Sequence, residues 1–200
     1  MGARAGPDEV RVLPLQVRDA PALARFYREQ RDFMAPFNPL QPEVFFTPEG
    51  QRRRLEQAEH LRADDRRYEF KIELEGELVG TISISNVVRG AFQSASVGYG
   101  VARRHNGRGI ASLAVKVVTD WGFEECALHR LEAGTLLDNA ASQRVLARNG
   151  YRLVGISSRY LELAGAWRDH VLFARTVEDG ALDLGPPGER ILRLRGVLGM

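Results

Sequence analysis

The stretch Ser94 to Ala111, SASVGYGVARRHNGRGIA, constrains this chain more than any other. Its first half alternates like a strand. Ala95, Val97, Tyr99 and Val101 share one face, and the small residues Ser94, Ser96, Gly98 and Gly100 share the other. A polar loop, Arg103 to Gly107, comes next. A helical stripe then runs through Ile110, Leu113, Ala114, Val117, Val118, Trp121 and Gly122. Gly107 and Gly109 flank the point where the loop opens the helix. The first turn of a helix leaves backbone N–H groups without partners, and its dipole end is positive. With no Cβ on either side of Arg108, a phosphate can approach those groups closely. Arg104 and Arg108 add positive charge nearby. On physical grounds the loop reads as a pyrophosphate cradle; the plainer alternative is a glycine-containing turn with solvated arginines.

Two other phosphate loops are excluded. A P-loop needs Gly-Lys-Ser/Thr at the helix entrance, and the residues here are Gly109, Ile110 and Ala111. A dinucleotide fingerprint needs G-x-G-x-x-G, and Gly98-x-Gly100 runs on to Arg103.

The rest of the chain supplies a mixed α/β pattern. A first strand is expected over Val10–Val17, then a helix from Ala20 to Arg31 capped by Asp19. Phe33 to Phe46 reads as an irregular loop with three prolines, whose aromatics suit either one wall of a substrate pocket or simple packing on the core. Thr47 and Pro48 open a helix to Ala63 with Leu55, Ala58 and Leu61 (or His60) inward. A hairpin follows over Tyr68–Leu74 and Leu78–Ser85. After the cradle helix come a strand from His129 to Leu136, a short helix from Ala140 to Arg148 capped by Asp138 or Asn139, and strands over Tyr151–Glu162 and His170–Thr176. The single cysteine, Cys126, reads as a core residue at a helix end, and one cysteine allows no internal disulfide, which fits a reducing cytoplasm. Two hundred residues with 28 basic and 26 acidic side chains suit one globular domain and argue against a dedicated nucleic-acid binder. The arginines at 52–54, with Arg62, Arg66 and Arg67, read as a solvated helix face. Met1 to Glu9 lacks the apolar run of a signal peptide, and no stretch is long and apolar enough to span a membrane.

Arg104-x-x-Gly107-x-Gly109 resembles motif A of the GNAT acetyltransferases. Asp138-Asn139-x-x-Ser142, Arg148-Asn149-Gly150-Tyr151 and Gly165-x-Trp167-Arg168-Asp169-His170 extend the likeness to the group that acetylates ribosomal-protein N-termini, the RimJ/RimL type. It covers roughly Val10 to Thr176. It implies a GNAT fold: a mixed, mostly antiparallel sheet of about seven strands, with helices on both faces, splayed between the cradle strand and the next. Residues 1–176 would form the domain and 177–200 an extension of unassigned role.

The resemblance also implies a donor, acetyl-CoA, and no metal. Tyr99, Val101, Arg104, Asn106, Gly107, Arg108, Gly109, Ile110, Ala111, Asn139 and Ser142 would hold it. The pantetheine arm would lie in the splay, with a backbone N–H near Val101 polarising the thioester. Asn139 would bond the arm and Ser142 would protonate the leaving thiolate; the plainer readings are an N-cap and a solvated serine. Phe33, Phe37 and Trp167 are the candidate acceptor contacts. Two departures stand out. Leu146 takes the place of the usual tyrosine acid, and Arg159 that of a glutamate base. Glu162 becomes the candidate base, with Glu69 and His170 as alternatives.

The implied acceptor is a protein N-terminal α-amine. The alternatives are a small-molecule amine acetyltransferase and an acyl-CoA-binding module without catalysis. A homodimer is common among such enzymes.

Overall fold

The computed structural model describes residues 10–179. Met1–Glu9 and the apolar positions of the tail, such as Ile191 and Leu194, lie outside the described residues. Among these, the strands are β1 (Val10–Pro14), β2 (Arg67–Leu74), β3 (Glu77–Val88), β4 (Ser94–Val101), β5 (Arg130–Leu136), β6 (Arg152–Leu163) and β7 (Ala166–Thr176). They form one sheet in the order β1-β2-β3-β4-β5-β7-β6. Every neighbouring pair is antiparallel except β4 and β5. The mixed, mostly antiparallel sheet expected from the resemblance is present.

The helices are α1 (Ala20–Glu29), α2 (Arg31–Met34), α3 (Pro48–Ala63), α4 (Ile110–Glu124) and α5 (Ala140–Arg148). Alternation along the strands decides which face each helix covers. Phe70 and Ile72 of β2, Ile82 and Ile84 of β3, and Ala95, Val97 and Val101 of β4 pack with α4 and with Leu146 of α5. Trp121 of α4 sits edge-on to Tyr68 and Phe70, with ring centroids 4.8 and 5.1 Å away. Fully burying one such side chain contributes about 1.5–3 kcal/mol, so this stripe anchors α4 and with it the cradle. Cys126 lies buried beyond the end of α4, where burial raises its thiol to about 11. The opposite face is covered by α1, α2 and α3 through Leu23, Phe26, Met34 and Leu55.

Several local expectations need correction. The first strand ends at Pro14, and α1 ends at Glu29. Asp19 stands at the N-cap of α1, but its carboxylate makes no capping bond there; it accepts from Gln16 N at 2.9 Å and from Lys71 Nζ at 2.9 Å. The segment 33–46 is not wholly irregular: α2 ends at Met34, and short 3-10 turns span Ala35–Phe37 and Glu43–Phe46. In α3, Gln51 is buried beside Leu55, while Ala58 and Leu61 are only half-buried. Arg66 lies beyond the end of α3, and Arg67 begins β2.

Thr47 caps α3 as expected. Its Oγ1 accepts from Gly50 N at 3.1 Å and donates to Val44 O at 2.7 Å. Thr47→Ala should cost about 1 kcal/mol. Calorimetry should record a fall in Tm of roughly 2–4 °C, with turnover at 25 °C unchanged.

The pairing of β4 with β5 positions the site. It holds only at Ser94–Arg130, Ala95–Leu131 and Ser96–Glu132. Beyond Ser96 and Glu132 the two strands part while each stays paired to its other neighbour. At the far side of the sheet the β6–β7 turn docks back: Ala164 N donates to Asn38 O at 2.9 Å. That contact brings Leu163 to the segment following α2.

Candidate active site

A cleft of about 680 Å³ runs through the parting of β4 and β5. Its backbone chemistry follows from the ladder. Ala102 N donates to Val79 O at 2.8 Å. Bonded and non-bonded pairs alternate in an antiparallel ladder. Tyr99 and Val101, opposite Ile82 and Gly80, therefore turn their N–H and C=O groups away from β3 and into the gap. Such groups need a partner, and an extended ligand with amides can supply one as an added strand would.

One end of the cleft is the cradle. Gly107 and Gly109 have φ of +77° and +81°, and no atom beyond their chain neighbours lies within 4 Å of where a Cβ would stand. Gly109 is the N-cap of α4. The first helical bond is Leu113 N to Gly109 O at 3.0 Å, which leaves the N–H groups of Ile110, Ala111 and Ser112 without helical acceptors. Asn106, Gly107, Gly109, Ile110 and Ala111 all line the cleft. Arg104 and Arg108 do not; they flank it and meet on His105. Arg104 Nε donates to His105 Nε2 at 3.0 Å, and Arg108 Nη1 lies 3.0 Å from Nδ1. Burial and then the two guanidiniums lower the pKa of His105. The neutral ring that results can accept from one arginine at a time. Arg104 also pairs with the Glu77 carboxylate. The open backbone fan and the two arginines beside it fit a pyrophosphate.

On the α5 side of the gap, Tyr99 Oη reaches Ser142 Oγ at 2.8 Å and Ser142 O at 3.2 Å. Burial raises the Tyr99 phenol to about 12, against a smaller opposing effect of its bond to Ser142. The phenol therefore stays protonated at neutral pH. Ser142 is thus not a solvated serine. Asn139 is the N-cap of α5: its Oδ1 accepts from Ser142 N at 3.1 Å. Its Nδ2 makes no hydrogen bond among the described residues, so capping leaves that group for a ligand.

The other half of the cleft is lined by Tyr27, Phe33, Met34 and Phe37, with Thr81, Ser83 and Arg67 on its floor and Leu163 and His170 at its side. Its ionisable lining residues, with those of the cradle and α5, are Arg67, His105, Arg144, Arg148 and His170, besides the phenols. No Asp or Glu is among them in the described residues.

Residues 9–152 match the acetyltransferase (GNAT) domain family. The chain is 38% identical over 165 residues to the probable N-acetyltransferase YjcK of Bacillus subtilis, covering 82% of this chain and 91% of that protein. It is 32% identical over 178 residues to the ribosomal protein uS5 alanine N-acetyltransferase of Escherichia coli, covering 88% and 92%. Mycobacterium smegmatis RimJ in complex with CoA-disulfide superposes with a TM-score of 0.82 at 37% identity, over 85% of this chain and 83% of that one. The chain is a GNAT acetyltransferase.

Against this GNAT frame, the sequence-selected residues separate cleanly. Tyr99, Val101, Asn106, Gly107, Gly109, Ile110, Ala111, Asn139, Ser142, Phe33 and Phe37 line one cleft. Glu162 and Trp167 do not. They face each other across the β6–β7 ladder. The neighbouring pairs, Leu163–Ala166 and Leu161–Arg168, share the face of His170, so Glu162 and Trp167 point the other way. Both are exposed, Trp167 by 61%. An irregularity does lie between Ser157 and Leu161. It inserts two extra residues, so it leaves the alternation unchanged and does not turn Glu162 inward. Glu69 is also removed as a free base: Arg54 Nη1 holds its two carboxylate oxygens at 2.7 and 2.9 Å and Arg67 Nε holds one at 2.6 Å. Leu146 is fully buried in the core of this GNAT domain and takes no part in the cleft. Sequence reasoning missed Met34, Thr81, Ser83 and Leu163 as lining residues; only their strand or helix parity could have suggested them.

Proposed function

We propose that this chain transfers the acetyl group of acetyl-CoA directly to the N-terminal α-amine of a protein, ribosomal proteins being the class named for its relatives. The parting of β4 and β5 carries the reading. It offers a backbone edge for the pantetheine amides, with the cradle for the pyrophosphate at one end and a separate half-cleft for the acceptor. The N–H groups of Tyr99 and Val101 are the donors available to the thioester carbonyl as negative charge develops on it. Ser142, with Tyr99 behind it, returns a proton to the departing thiolate. Cys126 lies in the core beneath α4, so direct transfer without an acyl-cysteine is favoured.

The missing carboxylates favour an α-amine over a polyamine or aminoglycoside. A polycation needs acidic partners, and this cleft offers arginines and histidines. An α-amine, with a pKa near 8, is roughly a tenth neutral at pH 7, whereas an amine near 10.4 is neutral in well under ~0.1% of molecules. In the acceptor half-cleft Met34 fills the space over Gly100, its Cε 3.1 Å from where a Cβ on Gly100 would stand, which favours a small first residue.

Thiol release should be followed with peptides beginning Ala, Ser or Met, and with spermidine, free amino acids and aminoglycosides. The expected result is turnover on Ala or Ser peptides at least ~10-fold above that on any polycation. Faster turnover of spermidine would move the acceptor class, and silence across the panel with tight acetyl-CoA binding would favour a non-catalytic module.

A further inference from the structure

We propose that His170 is the base of this reaction, taking the acceptor amine's proton on Nε2. The assignment rests on the acetyl-transfer reading above. His170 is 2% exposed, and that small exposure opens on the cleft. Its Nδ1 lies 2.9 Å from Arg168 O. A carbonyl only accepts, so Nδ1 carries a hydrogen, and in the neutral ring the lone pair is therefore on Nε2. The ring leans over β5: its Cδ2, the atom bonded to Nε2, lies 3.4 Å from where a Cβ on Gly134 would stand. Gly134 has no side chain to block it.

Register places this ring opposite the acid. Ser96 pairs with Glu132, Glu132 with Ala174, and Leu136 with His170. Alternation therefore puts Gly98, Gly134 and His170 on one face of the sheet, and Tyr99 on the other with Ser142. A thioester in the gap between β4 and β5 is open to both faces. The amine enters over Gly98 on the His170 side, and the sulfur leaves toward Ser142. The amine nitrogen forms a bond to the acetyl carbon and the carbon–sulfur bond breaks. The surplus proton on nitrogen passes to His170 Nε2, directly or through one water, and then to solvent. The thiolate takes a proton from the Ser142–Tyr99 hydroxyl pair, which solvent refills.

The groups facing the ring leave Nε2 available. From β6 they are Ser157 and Tyr160, whose ring centroid is 5.5 Å away; from β5 they are Gly134 and Leu136. None is a carboxylate that would compete for the proton.

His170→Asn keeps a donor for Arg168 O and removes Nε2. It should retain acetyl-CoA affinity and Tm within a few degrees while kcat falls about 100-fold. Imidazole added to His170→Ala should restore part of the rate. A kcat for His170→Asn within about threefold of wild type would overturn the assignment. If neither variant folds, nitrogen NMR of the wild-type histidines decides: Nδ1–H with bare Nε2 at neutral pH upholds it, and the Nε2–H tautomer overturns it. Wild-type turnover is measured alongside. An inactive wild type removes the acetyl-transfer reading and the base with it, whereas an active wild type and an equally active variant remove the base alone.

Discussion

Gly109→Val should weaken acetyl-CoA binding by at least about tenfold, read by calorimetry. Gly109 sits at φ +81°, ψ −4°, as the N-cap of α4. A β-branched residue adopts that conformation only at a cost of about 1–3 kcal/mol. The surrounding space is open, so the penalty is conformational and not a clash. The backbone escapes it by rotating, and the N–H groups of Ile110, Ala111 and Ser112 then lose their common aim. About 1.4 kcal/mol corresponds to tenfold in Kd. The hydrophobic anchor of α4 through Trp121, Val118 and Ala114 is untouched, so the fold should survive with a Tm lowered by a few degrees. Arg104→Ala is the contrast. It removes a charge without moving the backbone, so its effect should shrink as salt rises. An unchanged Kd for Gly109→Val would mean that the pyrophosphate lies elsewhere.

The cradle was legible in the sequence because its physics is local. Two glycines around one arginine, after an alternating strand and before a helical stripe, leave few other conformations. The capping by Thr47 and the burial of Cys126 were readable for the same reason. The parting of β4 and β5 is different. It depends on where a parallel register stops, and nothing within Ser94–Val101 or Arg130–Leu136 marks Ser96 as the last paired residue. The resemblance supplied it. Glu162 stood as the candidate base although its odd separation from Arg159 puts it on the opposite face of a regular strand, and the irregularity that could have turned it inward inserts two residues and keeps that face. Its pairing with Trp167 sends both side chains away from the cleft. His170 was visible as one alternative base among three, with a plain hairpin histidine as the competing reading. Its bond to Arg168 O and its lean over Gly134 come from a three-strand arrangement of β5, β7 and β6 that no single segment encodes.

Ser142→Ala should lower kcat by about 10²-fold, the lower end for general acid–base steps, because a thiolate is already a fair leaving group. Acetyl-CoA affinity should stay within about threefold, since the cradle and the backbone edge of β4 are intact. Tyr99→Phe separates two roles for the phenol. The phenol hydrogen has two acceptors, Ser142 Oγ at 2.8 Å and Ser142 O at 3.2 Å. If it donates to Oγ, the serine hydrogen is free to point at the sulfur, and losing the phenol lowers kcat while leaving Ser142 competent. If the serine donates to Tyr99 instead, the phenol is itself the last donor, and Tyr99→Phe should cost as much as Ser142→Ala. In either case the two losses should not add in the double variant, because residues that act as one relay are not independent. The resemblance implies that Leu146 takes the place of a helix-borne tyrosine acid; here the phenol that reaches Ser142 is Tyr99, from the strand. A double variant slower than either single one by the product of their effects would show that Tyr99 and Ser142 act separately. A Ser142→Ala enzyme with wild-type kcat would remove the serine from the chemistry.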